Sequence, residues 1–561
     1  MTLNSRLWTL EYNNTQPVNF KRNLLPVSVL VIVILLAGGS AVIAAPTQKP
    51  NIAVILVDDM GFSDIGCYGS EIPTPNLDKL AANGLRFTQF YNTGRCCPTR
   101  AALMTGLYSH QAGVGHMTND RKQPGYTGDL NNQCVTIPEV LREAGYRTVM
   151  AGKWHVTKFV QPTNEALKAN WPLQRGFDHY FGIIQGGANY FRPKPLTRDN
   201  QIITEPLGDD FYTTDAFVDN AIKSIDAGDQ AKPFFLYLAF NAVHFPLMAP
   251  QDEIAKFRGK YKIGWDKLRE ARHAKQIELG IVDKKWPLSP RPPEVKAWET
   301  LTPEEQDRFD HIMAIYAAVL AHMDAAVGRF VDALHQRGVL DNTLILFLSD
   351  NGGNAESGPE GRLNGTPPGS ADSDIYCGQS WATLENTPFR RYKHYNHEGG
   401  ISTPLVVHWP DRIKGGGRLR TQPGHLIDIM ATCVDVADAK YPKEFKGHPI
   451  LPMEGRSLLP AFADKPISRD ALFWEHEGNA AIRDGDWKLV RLGRDGPWEL
   501  YNLKSDRTEL NDLAAAEPKK AKELMAKWDA WADRAHVKPY PAGGPANASS
   551  PKKGKKKNPE K

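Results

Sequence analysis

Up to about residue 440, short unbroken apolar runs alternate with segments whose apolar positions recur every three or four residues. The runs at 52–57, 148–151, 234–240, 344–348 and 405–408 read as strands buried on both faces, as in a parallel sheet covered by helices. Between them, 76–83 places Leu77, Leu80 and Ala81 on one helical face, and 137–144 does the same with Ile137, Val140, Leu141 and Ala144 before stopping at Gly145. A long helix is predicted from Thr302-Pro303-Glu304-Glu305, a hydroxyl N-cap with proline at the first helical position. It runs through Ile312, Ile315, Val319, Met323, Val327, Phe330 and Leu334 to Gly338. The alternation predicts an α/β fold: a large, mostly parallel, doubly wound sheet flanked by helices. The charged, proline-bearing stretch 259–293 reads as an insertion on that framework. Beyond residue 440 the runs shorten to 472–475, 480–483, 487–492 and 498–502, with turns at Asp484-Gly485 and Asp495-Gly496. These predict a smaller C-terminal antiparallel sheet, packed with a helix at 518–535 that carries Leu524, Trp528 and Trp531 on one face.

The ends read differently. Arg6, Lys21 and Arg22 precede the apolar stretch 27–36 and small residues through Ala45. That is the layout of a secretory signal or, left uncut, of a membrane anchor, so the chain is expected to be exported, periplasmic or secreted. The expected organisation is a targeting segment (1–45), a catalytic α/β domain (46–440), a small antiparallel α+β domain (441–540) and a disordered basic tail (541–561). Residues 551–561 hold six lysines and one glutamate, so the net charge of +4 becomes about −1 without them. The body therefore lacks the basic bias of a nucleic-acid binder, and no nucleic-acid partner is expected. Cys67, Cys96, Cys97, Cys134, Cys377 and Cys433 are few for 561 residues, which excludes a disulfide scaffold. The adjacency of Cys96 and Cys97 makes pairing with each other awkward. The pattern does not define an oligomeric state.

Candidate chemistry gathers at strand ends. The first run ends in Asp58-Asp59, and 344–348 leads through Ser349 to Asp350-Asn351-Gly352-Gly353. Either pair alone is most simply a polar turn. If the two strands are neighbours, however, four oxygen-bearing side chains converge beyond the carboxyl edge of the sheet, where ligands of such folds bind. That donor set suits Ca²⁺ or Mg²⁺, and not zinc. Two further runs lead to Lys153 and His155, and to His244. A lone strand-end histidine is usually structural, but basic and acidic groups on one edge can bind an anionic ester and move its protons. In Gly94-Arg95-Cys96-Cys97-Pro98-Thr99-Arg100, Pro98 can open a helix and set Cys96 just before its anion-favouring N-terminus. The residues leave open a low-pKa thiolate nucleophile or a disulfide.

Here the chain resembles the type I sulfatases, the formylglycine-dependent arylsulfatase family of the alkaline phosphatase superfamily. Cys96-Cys97-Pro98-Thr99-Arg100 with Thr105-Gly106 looks like the sulfatase signature in its cysteine form, and Gly145 to His155 looks like the second signature. Asp58-Asp59, Asp350-Asn351-Gly352, His244-Phe245-Pro246 and Lys393 before Glu398-Gly399-Gly400 follow in matching order. Arg95 departs from the signature, which usually has an apolar or hydroxyl residue there. The resemblance implies sulfate monoester hydrolysis, with aryl sulfates or sulfated carbohydrates as substrates. A formylglycine-generating enzyme would oxidise Cys96, and the hydrated aldehyde would attack sulfur and then release sulfate through its second hydroxyl. It also implies Asp58, Asp59, Asp350, Asn351 and the Cys96-derived group as Ca²⁺ ligands, and Arg100 as the group holding the diol. Lys153 and Lys393 would bind sulfate, His155 would be the base, and His244 would be the leaving-group acid, alone or with Lys393. Related enzymes with the same Cys-x-Pro-x-Arg segment act on phosphate diesters or phosphonate monoesters, which is the alternative activity.

Overall fold

The computed structural model describes residues 49–541, so the expected targeting segment and basic tail lie outside the described residues. Seven strands form the body of one large mixed sheet: β1 (Asn51–Val57), β2 (Leu85–Tyr91), β3 (Arg147–Lys153), β4 (His179–Ile183), β5 (Phe234–Ala239), β6 (Thr343–Ser349) and β7 (Ser402–His408). Their spatial order is β2-β7-β6-β1-β5-β3-β4, with short edge strands at Arg418–Arg420 on one side and at Leu196–Arg198 and Gln201–Ile203 on the other. β1 pairs in parallel with both β5 and β6, and β3 in parallel with β5 and β4. The Asp58-Asp59 and Asp350-Asn351 turns therefore leave neighbouring strands at the same edge.

β1 shows why continuous apolar runs were required. Ala53, Ile55 and Val57 face one buried layer, while Ile52, Val54 and Leu56 face the other. A polar side chain at any of these positions would lie unsatisfied between sheet and helices. The layers are supplied by α1 (Pro75–Ala82), α2 (Cys96–Thr105), α3 (Ile137–Glu143), α4 (Thr213–Ala227), α5 (Trp265–Glu278) and α6 (Pro303–Gln336). Thr302 and Glu305 form a full capping box at the start of α6, as the sequence predicts.

Two features differ from expectation. β7 runs antiparallel to both β2 and β6, because an apolar run fixes burial but not direction. The stretch 259–293 packs onto the framework through α5, more ordered than its charged, proline-bearing composition suggested: α5 buries Trp265 and Arg272, and Arg272 donates to Asp64 at 2.7 Å and to Glu71. All six cysteines are free and buried.

Near the C-terminus, β8 (Leu472–His476), β9 (Asn479–Asp484), β10 (Trp487–Arg491) and β11 (Trp498–Asn502) form the expected antiparallel meander, with α7 (Pro518–Arg534) against it. Trp474 ties this sheet to the end of β2 by donating to the Asn92 carbonyl at 2.7 Å. Lys488 and Arg507 are each 2.8–2.9 Å from Glu398, the residue that opens the Glu-Gly-Gly segment before β7. Breaking one arm of such a fully buried ion cluster typically costs about 3–5 kcal/mol.

Candidate active site

α2 begins at Cys96 itself, with Arg95 extended as its N-cap and Pro98 inside the first turn, so the residue lies one step further into the helix than expected. The helix stops at Thr105 because Gly106 takes a left-handed conformation, φ 68°, and a Cβ there would lie 2.8 Å from Met430. Its first turn is clamped to the end of β6. The Thr99 hydroxyl donates to the Asp350 carbonyl at 2.6 Å, and Arg100 Nη2 donates to the Asp350 carboxylate at 2.8 Å. The other arm of the Arg100 fork donates to the Lys153 carbonyl at 2.9 Å, at the end of β3.

The ends of β1 and β5 are joined in the same way. Asp58 N–H donates to the Ala242 carbonyl and Val243 N–H to the Asp58 carbonyl, which brings His244 Nε2 within 3.6 Å of Asp59. The loop before β7 enters through Lys393 N–H on the Gly353 carbonyl, and its ammonium reaches Asp59 at 2.8 Å. Lys153 Nζ hydrogen-bonds Asp58. Every residue expected at the site is thus gathered at one place.

The electrostatics are those of a charged site taken out of water. Asp58, Asp59, Asp350, Asn351, Arg100, Lys153 and Lys393 are all buried. Burial, only partly offset by Lys153 and Arg100, raises the Asp58 carboxyl; burial and the neighbouring Asp58 raise Asp350 far more. Asp59 goes the other way: burial opposes its charge, but Lys393, His244 and Asn351 outweigh it. Burial pushes both His155 and His244 down to about 4, so both are neutral at pH 7. The Phe245 carbonyl lies 2.6 Å from His244 Nδ1, which places the ring proton there and leaves Nε2 without one.

The encoded thiol at position 96 stands where the resemblance puts an aldehyde. It is held well below the ordinary thiol range by a hydrogen bond from Cys97, against burial and with help from Lys153 and His155. The site therefore stabilises negative charge at that side chain. The sulfurs of Cys96 and Cys97 and a ring nitrogen of His155 lie within 4.8 Å of one another, which puts a neutral base beside it.

Asp58 Oδ1 and Asn351 Oδ1 are buried without a hydrogen-bond partner, and Asp58 and Asp350 crowd like charge together. Two orphaned hard oxygens, beside the crowded carboxylates of Asp58 and Asp350, fit a hard divalent cation.

Sequence reasoning missed a set of supporting groups. Asn354 donates to Asp59 at 2.7 Å; Glu356 accepts from Arg95 at 2.8 Å and lies 3.9 Å from Lys393. Asp350-Asn351-Gly352-Gly353 runs directly into Asn354 and Glu356, which was the only cue. Gly186 sits so close to His155 that a Cβ would lie 2.4 Å from the ring, and Gly187 faces His244. Trp381 is a core residue, T-stacked on Trp265 and donating to the Phe309 carbonyl.

Such a site can hold a tetrahedral anion against residue 96 and move protons on either side of it, which is the chemistry of a sulfate or phosphate ester hydrolase. The family model "Sulfatase" matches residues 50–439, and the model "N-sulphoglucosamine sulphohydrolase, C-terminal" matches 390–530. The chain is 36% identical over 464 residues to an arylsulfatase of Klebsiella aerogenes, covering 78% of this chain and 97% of that one. It is 34% identical over 530 residues to an uncharacterized sulfatase of Schizosaccharomyces pombe, covering 86% and 93%. Among solved structures, Ps i-CgsB in complex with k-i-k-neocarrahexaose superposes with a TM-score of 0.63 at 27% identity, covering 86% of this chain and 93% of that one. The chain belongs to the sulfatase family and is a sulfuric ester hydrolase.

Proposed function

We propose that the chain cleaves sulfate monoesters with residue 96 as formylglycine and a calcium ion held by Asp58, Asp59, Asp350 and Asn351. The observation that carries this reading is the buried position 96, where Lys153, His155 and the helix N-terminus favour an anion on the side chain that the proposal makes the nucleophile. Hydrated, the aldehyde supplies an attacking oxygen and a second ionisable hydroxyl on the same carbon; the calcium ion supplies positive charge beside them.

The protein's own residues do the rest. Arg100, fixed by Asp350 and the Lys153 carbonyl, presents a rigid donor fork beside residue 96. Lys153 and Lys393 are fixed cations for the sulfuryl oxygens. His155, neutral at pH 7, takes a proton from the hydroxyl of residue 96. Lys393 is kept protonated because Asp59 and Glu356 outweigh the burial that opposes its charge, and it delivers a proton to the leaving oxygen. His244 holds its ring proton on Nδ1 against the Phe245 carbonyl, so its Nε2, 3.6 Å from Asp59, has none to give to the leaving oxygen at pH 7.

The leaving group belongs to an aryl sulfate or a sulfated carbohydrate, a reading supported by the arylsulfatase relative and the carbohydrate-bound structure above. Maturation by a formylglycine-generating enzyme and export of the chain are parts of the same proposal. A phosphonate monoester hydrolase of Agrobacterium radiobacter shares the fold at TM-score 0.57 and 19% identity, so phosphorus esters are the competing substrates. Initial rates on 4-nitrophenyl sulfate, 4-nitrophenyl phosphate diesters and phenylphosphonates decide between them. The sulfate ester should lead by orders of magnitude; a phosphorus ester leading by as much would overturn the assignment.

A further inference from the structure

The rim of the site holds a charged pair whose hydrogen-bonding capacity is half used. Arg95 and Glu356 meet through one atom each, Nη1 and Oε1, at 2.8 Å. Arg95 is also fixed at Nε, which donates to Met117 Sδ at 3.4 Å. His394 leans on the same two atoms: its Nε2 is 3.0 Å from Glu356 Oε1, and its ring contacts Arg95 Nη1. From the other side, Glu356 N–H donates to Asn354 Oδ1 at 2.7 Å, and Asn354 Nδ2 donates to Asp59 at 2.7 Å. The pair is therefore held in a fixed place relative to Asp59.

These contacts leave out Arg95 Nη2 and Glu356 Oε2. Among the described residues neither atom makes a hydrogen bond, and both are open to solvent, unlike the sealed oxygens of Asp58 and Asn351. The position of the pair shows what the two free arms face. Arg95 directly precedes residue 96, and Glu356 Oε1 lies 3.9 Å from Lys393 Nζ, the donor assigned above to the leaving oxygen. Cys96 and Lys393 are 2% and 1% exposed, whereas the Arg95 and Glu356 side chains are 13% and 28% exposed. The pair thus stands between the reacting centre and solvent, beside the alcohol part of a bound ester. A few placed polar groups at such a mouth are what orient a ligand and give specificity.

The chemistry of the free arms is complementary. Burial opposes the charge on Glu356, but the His394 hydrogen bond, Lys393 and Arg95 hold it down at about 2. At pH 7 it is a carboxylate, which only accepts, beside a guanidinium, which only donates. A hydroxyl does both: its O–H can donate to Oε2 while its oxygen accepts from Nη2. A plain arene or alkyl chain does neither, and takes water from both arms without replacing it.

We propose that Arg95 and Glu356 form a specificity subsite for a hydroxyl on the carbon next to the ester, so that the preferred substrate is a carbohydrate sulfate and not a simple aryl sulfate. The inference rests on the sulfatase reading above and narrows its substrate class. A site built to hydrogen-bond a substrate hydroxyl rejects the analogue that lacks it. Because both partners are charged but partly exposed, the discrimination here is about 10–100-fold in kcat/KM.

The test compares trans-2-hydroxycyclohexyl sulfate with cyclohexyl sulfate, which differ by that one hydroxyl and presuppose no particular sugar. The readout is the ratio of their kcat/KM values in full-length wild type, Glu356→Gln and Arg95→Leu, with rates normalised to the aldehyde content at residue 96. In Glu356→Gln the carbonyl oxygen can keep Arg95 and His394, which puts an NH₂ donor where the free acceptor was. Losing the Glu356 charge also loosens its hold on Lys393, but both esters leave as alkoxides and feel that equally, so the ratio isolates the hydroxyl. Wild type should prefer the hydroxyl ester by about 10–100-fold, and the ratio should fall about tenfold in Glu356→Gln and severalfold in Arg95→Leu. Circular dichroism shows which variants fold; if Arg95→Leu does not, Glu356→Gln and Glu356→Ala carry the test. A ratio near one in the wild type, or one unchanged in Glu356→Gln, overturns the subsite. Turnover of 4-nitrophenyl sulfate by the wild type separates the two levels: present with a flat ratio, it sinks the subsite alone; absent, it sinks the sulfatase reading and the subsite with it.

Discussion

The proposed mechanism sets two residues, His244 and Lys393, at the leaving oxygen, and their electrostatics differ in a way that kinetics can read. His244 is pushed down to about 4 by burial, against the pull of Asp59. At pH 7 about one molecule in a thousand carries the second proton, and loading it costs roughly 4 kcal/mol. Lys393 is raised above its ordinary value and stays charged. The perturbations are Lys393→Ala and His244→Ala, assayed as kcat/KM over sulfate esters of rising leaving-group basicity, from 4-nitrophenyl sulfate to an alkyl sulfate. A nitrophenolate leaves without a proton, so there Lys393→Ala loses only its charge, about 10² in rate. An alkoxide needs the acid, so the same variant should lose a further factor of about 10²–10⁴. The plot of log kcat/KM against leaving-group pKa therefore steepens for Lys393→Ala and keeps its wild-type slope, displaced downward, for His244→Ala. The opposite pattern, a steeper slope for His244→Ala and a parallel line for Lys393→Ala, would refute the reasoning and make His244 the acid.

The same geometry yields further expectations. His155 acts as a base only when neutral, so kcat/KM should fall as pH drops through about 4, the value to which burial lowers it, and should be flat between there and neutrality; an acid limb near 6.5 would mean that the base is another group. Adding Ca²⁺ to chelated protein should raise stability by about 2.7 kcal/mol at a hundredfold excess over Kd, read by thermal melting, and Asp58→Asn with Asn351→Ala should abolish that gain. Away from the site, burial works against a charged His322, but Asp215 and Glu253 outweigh it and raise it to about 9. Its ion pairs should contribute about 3 kcal/mol that is fully present below pH 6.5 and lost as pH rises through about 9. Unfolding of His322→Gln against wild type from pH 6 to pH 10 checks this, and equal stability of the two at pH 6 would contradict it.

The legible part of this protein was what a single strand or helix encodes. β1, β5 and β6 are buried on both faces, so every position had to be apolar, and the runs at 52–57, 234–240 and 344–348 stood out. Thr302 and Glu305 announced α6 through local capping chemistry. β2 escaped notice because Arg86 and Gln89 interrupt its apolar positions at half-buried points. The direction of β7 was illegible because it depends on the crossover and not on composition. At the candidate site, each motif ends or follows its own strand, so Asp58, Asp59, Asp350, Asn351, Lys153, His155 and His244 could be singled out locally. Asn354 and Glu356 were not, since what distinguishes them is contact with Asp59, Arg95 and His394, which are close only after folding. Glu477 is the extreme case: a turn residue in sequence, and in the fold the centre of three imidazoles.

The proposed mechanism turns on what residue 96 is in the mature protein. Peptide mass spectrometry of protein purified from its native host measures this directly. The peptide carrying position 96 should be lighter than the encoded sequence by about 18 Da, the change from a thiol-bearing carbon to an aldehyde, and should react with a hydrazide probe. A peptide of unmodified mass, alkylatable at Cys96, in a preparation that turns over sulfate esters at full rate would contradict it.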